Sequence, residues 1–218
     1  MKIKKVLKII GIIITILIII VLIHTINNYI IITDLQDKIS QYSNSSNYYI
    51  KSVATEGNGT IVTMEYYKKD NKQVVFLERN LNGEISKISM YNNGERTDTF
   101  WDNTDNKTAE LDSGMIMSVN IYNGLETDNK WQTFLGCITS SIKSVNYNGK
   151  ECYNIKGFMT STSLTSEATE TYIEKDTGLF VKSTDGNTLT EKEYKFDNVE
   201  DTIFIEPDIS EYTLKEKE

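Results

Sequence analysis

Histidine is almost missing from this sequence: the one histidine among 218 residues is His24, at the edge of a long apolar run. A hydrolase triad or a histidine-dependent acid–base pair needs an imidazole that titrates near neutral pH. Zinc sites of the Cys/His type need four ligands, and two cysteines with no histidine beyond His24 cannot supply them. We therefore expect no catalytic residue, no resident metal and no cofactor, and we predict that the chain is not an enzyme.

Carboxylates leave two weaker alternatives. Asp102, Asp105 and the carbonyls of residues 103–106 could offer oxygens to calcium, but the D-x-D-x-D-G spacing of a calcium loop is absent, and turn residues explain the cluster. A glycosidase needs two facing carboxylates, whose separation in space a sequence does not reveal. An enzyme of that kind is the third and least favoured hypothesis.

A long aliphatic run dominates the amino terminus. Residues 9–23 are aliphatic apart from Gly11 and Thr15, and Lys2, Lys4, Lys5 and Lys8 precede them. A helix needs roughly 20 apolar residues to cross a bilayer, and residues 6–25 supply that length if Lys8 extends back towards the headgroups. No small-residue cleavage site follows, so we predict an uncleaved signal-anchor. The alternative, a buried core helix, needs a larger protein than this one.

The lysines also predict an orientation. Cytoplasmic flanks of membrane helices carry the excess of Lys and Arg, so the amino terminus is predicted to be cytoplasmic and residues 33–218 extracellular, in a single-pass protein of the cell membrane. The bias towards Ile, Lys and Asn resembles that of an AT-rich bacterial genome, so we predict that the compartment is a bacterial cell envelope.

Negative charge prevails outside the membrane. Without the four amino-terminal lysines, 19 Lys and Arg stand against 31 Asp and Glu, a net charge of −12. Nucleic-acid binding relies on clustered positive charge, so nucleic acid is excluded as a partner. Anionic headgroups and wall polymers are expected to repel this part of the chain.

Cys137 and Cys152 lie in the part predicted to be exported, where oxidation is permitted. A bridge between them would stabilise the fold by about 3 kcal/mol on the chain-entropy model. Free cysteines, however, are commonly small buried hydrophobic residues. The sequence leaves both alternatives open.

Period-two patterns predict an antiparallel sheet. Residues 48–54, 60–68, 73–80, 84–91 and 96–101 alternate and are rich in β-branched and aromatic side chains, and Asn82-Gly83 and Asn93-Gly94 are strong hairpin signals. After a helix, residues 144–147, 151–158, 170–174, 179–183 and 188–196 alternate again. Residues 102–129 are ambiguous between a strand and a lid, and residues 160–169 are predicted to be a mobile loop.

Two helices are predicted outside the membrane. Ile31, Leu35, Ile39 and Tyr42 recur at helical spacing, with Thr33 and Gln36 as a capping box that starts a second helix. The other helix runs from Trp131 to Ile142. Ten or so strands with two helices predict a mainly β (α+β) fold, in which a curved antiparallel sheet wraps around helices.

The carboxy-terminal passage resembles a known family. It contains Tyr172-Ile173-Glu174, then Asp176-Thr177-Gly178-Leu179-Phe180-Val181-Lys182, then Tyr194-Lys195-Phe196-Asp197-Asn198-Val199, and closes with Phe204, Pro207-Asp208 and Tyr212. These residues resemble the LolA/LppX-like lipoprotein-carrier superfamily in its membrane-attached Gram-positive relatives, most clearly over residues 131–212. The resemblance implies an incomplete β-barrel with helices in its concave opening, and binding of acyl chains or lipoproteins between them.

The predicted organisation follows from the span and the resemblance together. It comprises a cytoplasmic tail (1–5), a transmembrane anchor (6–25), a stalk or juxtamembrane helix (26–46), a LolA-like half-barrel (47–212) and a disordered tail (213–218). The leading hypothesis is a membrane-anchored extracytoplasmic domain that binds an acyl chain or a lipidated partner at the outer leaflet. The alternative is a non-enzymatic structural or regulatory interaction module of the cell envelope.

Apolar side chains are the candidate ligand-binding residues. Methionines adapt to irregular partners, and concave apolar sites accept lipid chains. We therefore predict a groove between helix, lid and sheet, although the same residues could simply form the core. The predicted groove residues are Met115, Met117, Trp131, Phe134 and Ile138.

Overall fold

The structure is a computed structural model that describes residues 2–103, 105–115, 119, 121–122, 124–127, 129–158 and 170–215. Its helices are α1 (Lys2–Ser40) and α2 (Lys130–Thr139). Its strands are β1 (Asn47–Glu56), β2 (Ile61–Lys69), β3 (Lys72–Leu81), β4 (Glu84–Asn92), β5 (Thr97–Asn103), β6 (Asn106–Glu110), β7 (Ser141–Tyr147), β8 (Lys150–Lys156), β9 (Glu170–Glu174), β10 (Phe180–Asp185), β11 (Thr188–Phe196) and β12 (Thr213–Leu214).

The strands of the described residues form one open sheet in the order β12-β6-β5-β4-β3-β2-β1-β11-β10-β9-β8-β7. Neighbours such as β1 and β2 pair antiparallel, whereas β6 and β12 run parallel. Asn82-Gly83 and Asn148-Gly149 turn between strands with positive φ at both positions, as a type I′ hairpin requires. The predicted mainly β fold with an unclosed antiparallel sheet is confirmed.

The chain divides into two compact units, residues 1–40 with 122–180 and residues 41–121 with 181–218. In the first unit, α1, α2, β8 and β9 enclose a core of buried apolar side chains. Ile32 and Leu35 of α1 are fully buried there, together with Cys137, Ile155 and Ile173. The segment predicted to be a stalk helix therefore contributes its inner face to the core of the first unit.

Thr33 does not begin a second helix, so that prediction is wrong. It lies within α1, which continues without interruption to Ser40. A capping side chain matters only where the chain enters a helix from a non-helical residue, and residues 26–40 contain no glycine or proline to interrupt the helix. Burial of Ile32, Leu35 and Ile39 along one stripe then favours continued helix.

The second predicted helix is shorter than expected. It ends at Thr139, and Ile142 belongs to β7, where its half-buried side chain joins the core of the first unit. Ile142 faces the core from β7, and it also lies four residues after Ile138, so it fits the spacing of a helix. This coincidence explains why the helix was predicted to be longer. The described residues between Asp112 and Asn129 form neither helix nor strand, and the loop predicted at 160–169 lies outside the described residues.

The second unit holds β1–β6, β10 from Val181 onwards, β11 and β12, with apolar clusters on both faces of its sheet. Tyr48, Ile50, Tyr66, Val75 and Met90 form the cluster on one face, which we call face B. On the other, face A, Val74, Tyr91, Phe100 and Ala109 pack under side chains of the carboxy-terminal segment (residues 197–215), among them Ile203, Phe204 and Tyr212. The second unit is therefore a sheet with two apolar faces.

Candidate functional site

A polar joint ties α2 to α1 just beyond the apolar run. The side-chain nitrogen of Asn28 donates to the main-chain oxygen of Ser140, 2.9 Å away, and lies 3.1 Å from Ser140 Oγ and 3.3 Å from the oxygen of Cys137. His24 Nε2 is 3.0 Å from the same Ser140 oxygen. The final carbonyls of a helix have no partner within the helix, so Asn28 supplies donors where α2 needs them.

The burial pattern of α2 is the opposite of that in an ordinary amphipathic helix, which buries its large apolar residues. Thr133, Gly136 and Cys137 are buried, whereas large apolar side chains at positions i, i+4 and i+7 face outwards. Their exposed fractions are 65% for Trp131, 44% for Leu135 and 40% for Ile138. α2 thus presents an apolar stripe outwards, which we call the α2 stripe (Trp131, Leu135 and Ile138).

The residues predicted to line a groove are only partly brought together. Trp131 and Phe134 stack with ring centroids 5.7 Å apart, and Phe134 also meets Tyr29 edge-on at 6.0 Å. Ile138 is exposed on the same helix, and Met115 is exposed in the second unit. Met117 lies outside the described residues. The predicted groove stays a prediction.

The two cysteines are buried with free thiols in the structure. Cys137 belongs to the core of the first unit, as do Tyr153 and Ile155 of β8. Because side chains alternate along a strand, Cys152 lies on the opposite face of β8 from Tyr153 and Ile155. Of the two alternatives left open, the structure contains the unbridged one. Burial raises the pKa of Cys137 to about 11 and also raises that of Cys152.

A half-buried row of side chains crosses face B of the second unit, and we call it the Met64 row. Cross-strand partners in an antiparallel sheet share a face, and the registers place these residues side by side on adjacent strands from β11 to β5. The sequence of partners is Lys192, Ser52, Met64, Leu77, Ile88 and Trp101. Strands lie about 4.8 Å apart, so the row is about 24 Å long.

Burial distinguishes this row from its neighbours. The adjacent row on the same face, Ile50, Tyr66, Val75 and Met90, is buried, and Val119 and Ile121 pack against its cluster. Tyr48 helps to hold that covering segment, since its hydroxyl donates to the oxygen of Val119 at 3.0 Å. The Met64 row is therefore an apolar strip that its own unit covers incompletely.

Lys192 places a cation at one end of the Met64 row. Its side chain is half-buried beside Ser52, and burial lowers its pKa. At the other end, the ammonium of Lys215 lies 3.5 Å from the centroid of the Trp101 ring, a cation–π contact. An apolar strip with a cation at each end is chemically suited to a molecule with an apolar chain and an anionic group.

Face A carries a cleft of about 440 Å³ between the sheet and the carboxy-terminal segment. Phe76, Phe100 and Tyr212 are among its lining residues, with Glu65 and Asp102. The aromatic rings are part of a continuous series of ring contacts in which centroids are 4.7–6.0 Å apart. The series runs through Tyr49, Tyr67, Phe76, Tyr91, Phe100 and Tyr212.

A carboxylate pair lies near the same segment. Asp98 is fully buried, 2.7 Å from Arg96 Nη2, and its Oδ1 accepts a hydrogen bond from the main-chain nitrogen of Asp112 at 2.7 Å. Glu206 lies 3.8 Å from the same guanidinium, and desolvation followed by the charge of Asp98 raises the pKa of Glu206. The pair fixes the carboxy-terminal segment to β5 through Arg96.

Metal ligation has no support among the described residues, in which no three His, Cys, Asp or Glu side chains converge on a point that could hold an ion. Asp102, considered above for calcium, lies 3.9 Å from the ammonium of Lys107.

Sequence reasoning missed both the α2 stripe and the Met64 row. Runs such as Val74-Val75-Phe76-Leu77 are apolar at every position, so alternation does not reveal which face is covered. The spacing of Trp131, Leu135 and Ile138 was visible, but helical periodicity locates an apolar stripe without showing whether it faces inwards or outwards.

These features define the structural class of the protein. It has an open, mainly antiparallel sheet and a long amino-terminal helix. That helix is long and apolar enough to cross a membrane, and its apolar window is not buried. The sequence matches no protein-family profile. No curated protein sequence matches it either.

Solved structures similar to this chain include proteins of the predicted kind. A LolA superfamily protein, NE2245 of Nitrosomonas europaea, is 10% identical over 80% of this chain and 97% of its own length, with a TM-score of 0.25. A putative outer-membrane lipoprotein-sorting protein domain of Vibrio parahaemolyticus is 9% identical over 78% and 94%, with a TM-score of 0.30. MucB, in complex with MucA(peri), is 12% identical over 78% and 57%, with a TM-score of 0.37. The solved structures similar to this chain thus include proteins of the family that the carboxy-terminal passage resembles, at 9–10% identity.

Proposed function

We propose that the chain is a membrane-anchored, extracytoplasmic LolA-like protein that binds the acyl chain of a lipid or of a lipidated partner, without catalysis. α1 provides the anchor, and the four lysines in its first two turns favour a cytoplasmic amino terminus. The observation that carries the binding proposal is the Met64 row, a half-buried apolar strip that ends in Lys192.

The row suits an acyl chain in its chemistry. Met64, Leu77, Ile88 and Trp101 supply neighbouring apolar side chains on one face, and an extended hydrocarbon chain lying across the strands would contact each in turn. Burying the apolar surface of both partners drives such binding. A carboxylate or phosphate at the end of the chain would gain an ionic contact with Lys192.

Photo-crosslinking tests this binding directly. The full chain is reconstituted in lipid nanodiscs with a diazirine-bearing fatty acid, irradiated and mapped by peptide mass spectrometry. We expect crosslinks at residues of the Met64 row. The variant Ile88→Ser should need about tenfold more probe for half-maximal labelling, since losing the burial of one large aliphatic side chain costs about 1.5 kcal/mol.

The matched control is Ile85→Ser, which removes an exposed isoleucine from the same strand and the opposite face. We expect the probe to label this variant as efficiently as the unaltered protein. Circular dichroism should show that both variants are folded. Crosslinks confined to residues 6–25 would remove the binding proposal. The interaction module of the cell envelope would then become the better description.

A further inference from the structure

We infer that the α2 stripe is a second membrane contact, inserted into the headgroup region of the same bilayer that α1 spans. This inference rests on the anchoring part of the proposed function and not on lipid binding by the Met64 row. Its occupant is the lipid surface itself.

The height of α2 above the membrane follows from the joint with α1. Twenty residues at 1.5 Å each cover the roughly 30 Å of hydrocarbon, so a span over residues 6–25 ends at the level of His24 and Thr25. Ser140 lies at that level, because its main-chain oxygen is 3.0 Å from His24 Nε2. The last turn of α2, which contains Ile138, is therefore next to the edge of the hydrocarbon.

The rest of the stripe remains within reach of the headgroups. Phe134 contacts Tyr29, which is five residues, or about 7.5 Å, further along α1 than His24. Trp131 stacks on Phe134 at 5.7 Å. The polar headgroup region adds about 5–7 Å on each side of the hydrocarbon, so Phe134 and the Trp131 ring stacked on it lie at its outer limit, and Ile138 lies closest to the hydrocarbon.

The chemistry of the stripe matches that depth. Tryptophan is enriched at membrane interfaces, where its ring meets both apolar and polar groups. α2 contains no Asp or Glu, in contrast to the acidic remainder of the chain; its first residue, Lys130, is exposed, as are Lys143 of β7 after it and Glu126 before it. Exposed apolar residues also continue along α1 past the span, at Ile26 and Ile30. The surface of the first unit near His24 is thus apolar.

The reversed burial of α2 supports the same conclusion. A surface helix in water turns its large apolar residues inwards, but α2 buries Thr133, Gly136 and Cys137 instead. Burying Trp131, Leu135 and Ile138 in lipid would remove that apolar surface from water. A second membrane contact would also fix the tilt of the first unit relative to the bilayer.

Fluorescence quenching by brominated lipids tests the contact. The full chain carrying Trp101→Phe, in which Trp131 is the remaining tryptophan, is reconstituted in phosphatidylcholine vesicles with bromines near the glycerol or near the chain ends. We expect the shallow bromines to quench Trp131 more strongly than the deep ones. In this Trp101→Phe background, Leu135→Asp and Ile138→Asp together should abolish the quenching. Ile209→Asp, at a 42% exposed position of the second unit, should not.

Flotation of the same vesicles separates the two proposals. Protein that floats and resists carbonate extraction, but whose Trp131 fluorescence ignores both bromines, overturns the α2 contact and leaves the anchor intact. Protein that does not float overturns both. Thermal unfolding of each variant shows whether the aspartates have left the fold intact, which is expected because both positions are exposed.

Discussion

The side-chain amide of Asn28 donates a hydrogen bond to the main-chain oxygen of Ser140, 2.9 Å away and 112 residues later in the chain. Asn28 is buried, so this donor and the carbonyls it reaches are all removed from water. The bond connects the first turn of α1 beyond the apolar run with the end of α2. It therefore holds α2 at a fixed height along α1.

Removing that amide should destabilise the joint. Asn28→Leu removes the amide that donates to the carbonyls of Cys137 and Ser140, which keep only Ser140 Oγ and His24 Nε2 within hydrogen-bonding distance, and a lost hydrogen bond costs about 0.5–1.5 kcal/mol. We expect faster hydrogen exchange in α2 and a lower midpoint of thermal unfolding for the full chain in nanodiscs. Asn27→Leu, at an exposed neighbouring position, is the control and should leave both unchanged. Equal effects of the two variants would contradict the role given to Asn28.

Gly178 explains one motif on which the family resemblance rests. It lies in the turn between β9 and β10 with φ of +71°, and a Cβ there would be 2.5 Å from the main-chain oxygen of Leu35 and 3.0 Å from the nitrogen of Ile39. Lys38 reaches the same turn, donating to the oxygen of Lys175 at 2.7 Å. The Asp176-Thr177-Gly178 turn is thus a docking point for the end of α1.

Gly178→Ala should therefore lower the free energy of unfolding by more than backbone strain alone would. Gly149 has φ of +80°, and a Cβ added to it would meet no other atom within 4 Å, so Gly149→Ala carries only the left-handed penalty of about 1–2 kcal/mol. Gly178→Ala adds a clash with the backbone of α1. Chemical denaturation of the two variants should show the larger loss of stability at Gly178, and equal losses would refute the docking role.

The sequence predicted the strands well because their patterns and turns agree. Asn82-Gly83 and Asn148-Gly149 determine hairpins locally, and the alternation on either side needs no information from distant residues. The single helix α1 was harder, since the decision between one helix and two depends on Ile32 and Leu35 packing against residues of α2, β8 and β9, far along the chain. Which apolar surfaces stay open depends on the same distant contacts, so neither the α2 stripe nor the Met64 row could be predicted.

The raised pKa of Glu206 predicts that the stability of the fold depends on pH. Desolvation and the nearby charge of Asp98 raise its pKa on folding, so its ionisation costs stability as the pH rises from its unfolded value, about 4.3, through the folded value. Glu206→Gln should therefore unfold at a higher temperature than the unaltered protein at pH 7, and at nearly the same temperature at pH 4. Glu95→Gln, on the exposed turn before Arg96, is the control and should show no such difference. A loss of stability at pH 7 in Glu206→Gln would contradict the cost assigned to its ionisation.

The thiols of Cys137 and Cys152 should resist alkylation in the folded protein and react fully once it unfolds. Both are buried, and desolvation raises their pKa, so thiolate is scarce at neutral pH as well as inaccessible. Iodoacetamide is added with and without guanidinium, in the absence of reductant, and the peptides are analysed by mass spectrometry. We expect two alkylated cysteines only in the denatured sample. A peptide pair joined by a disulfide would contradict the placement of Cys152 on the face of β8 opposite the core that contains Cys137, because a bridge requires the two Cα atoms within about 7 Å and their side chains directed at each other.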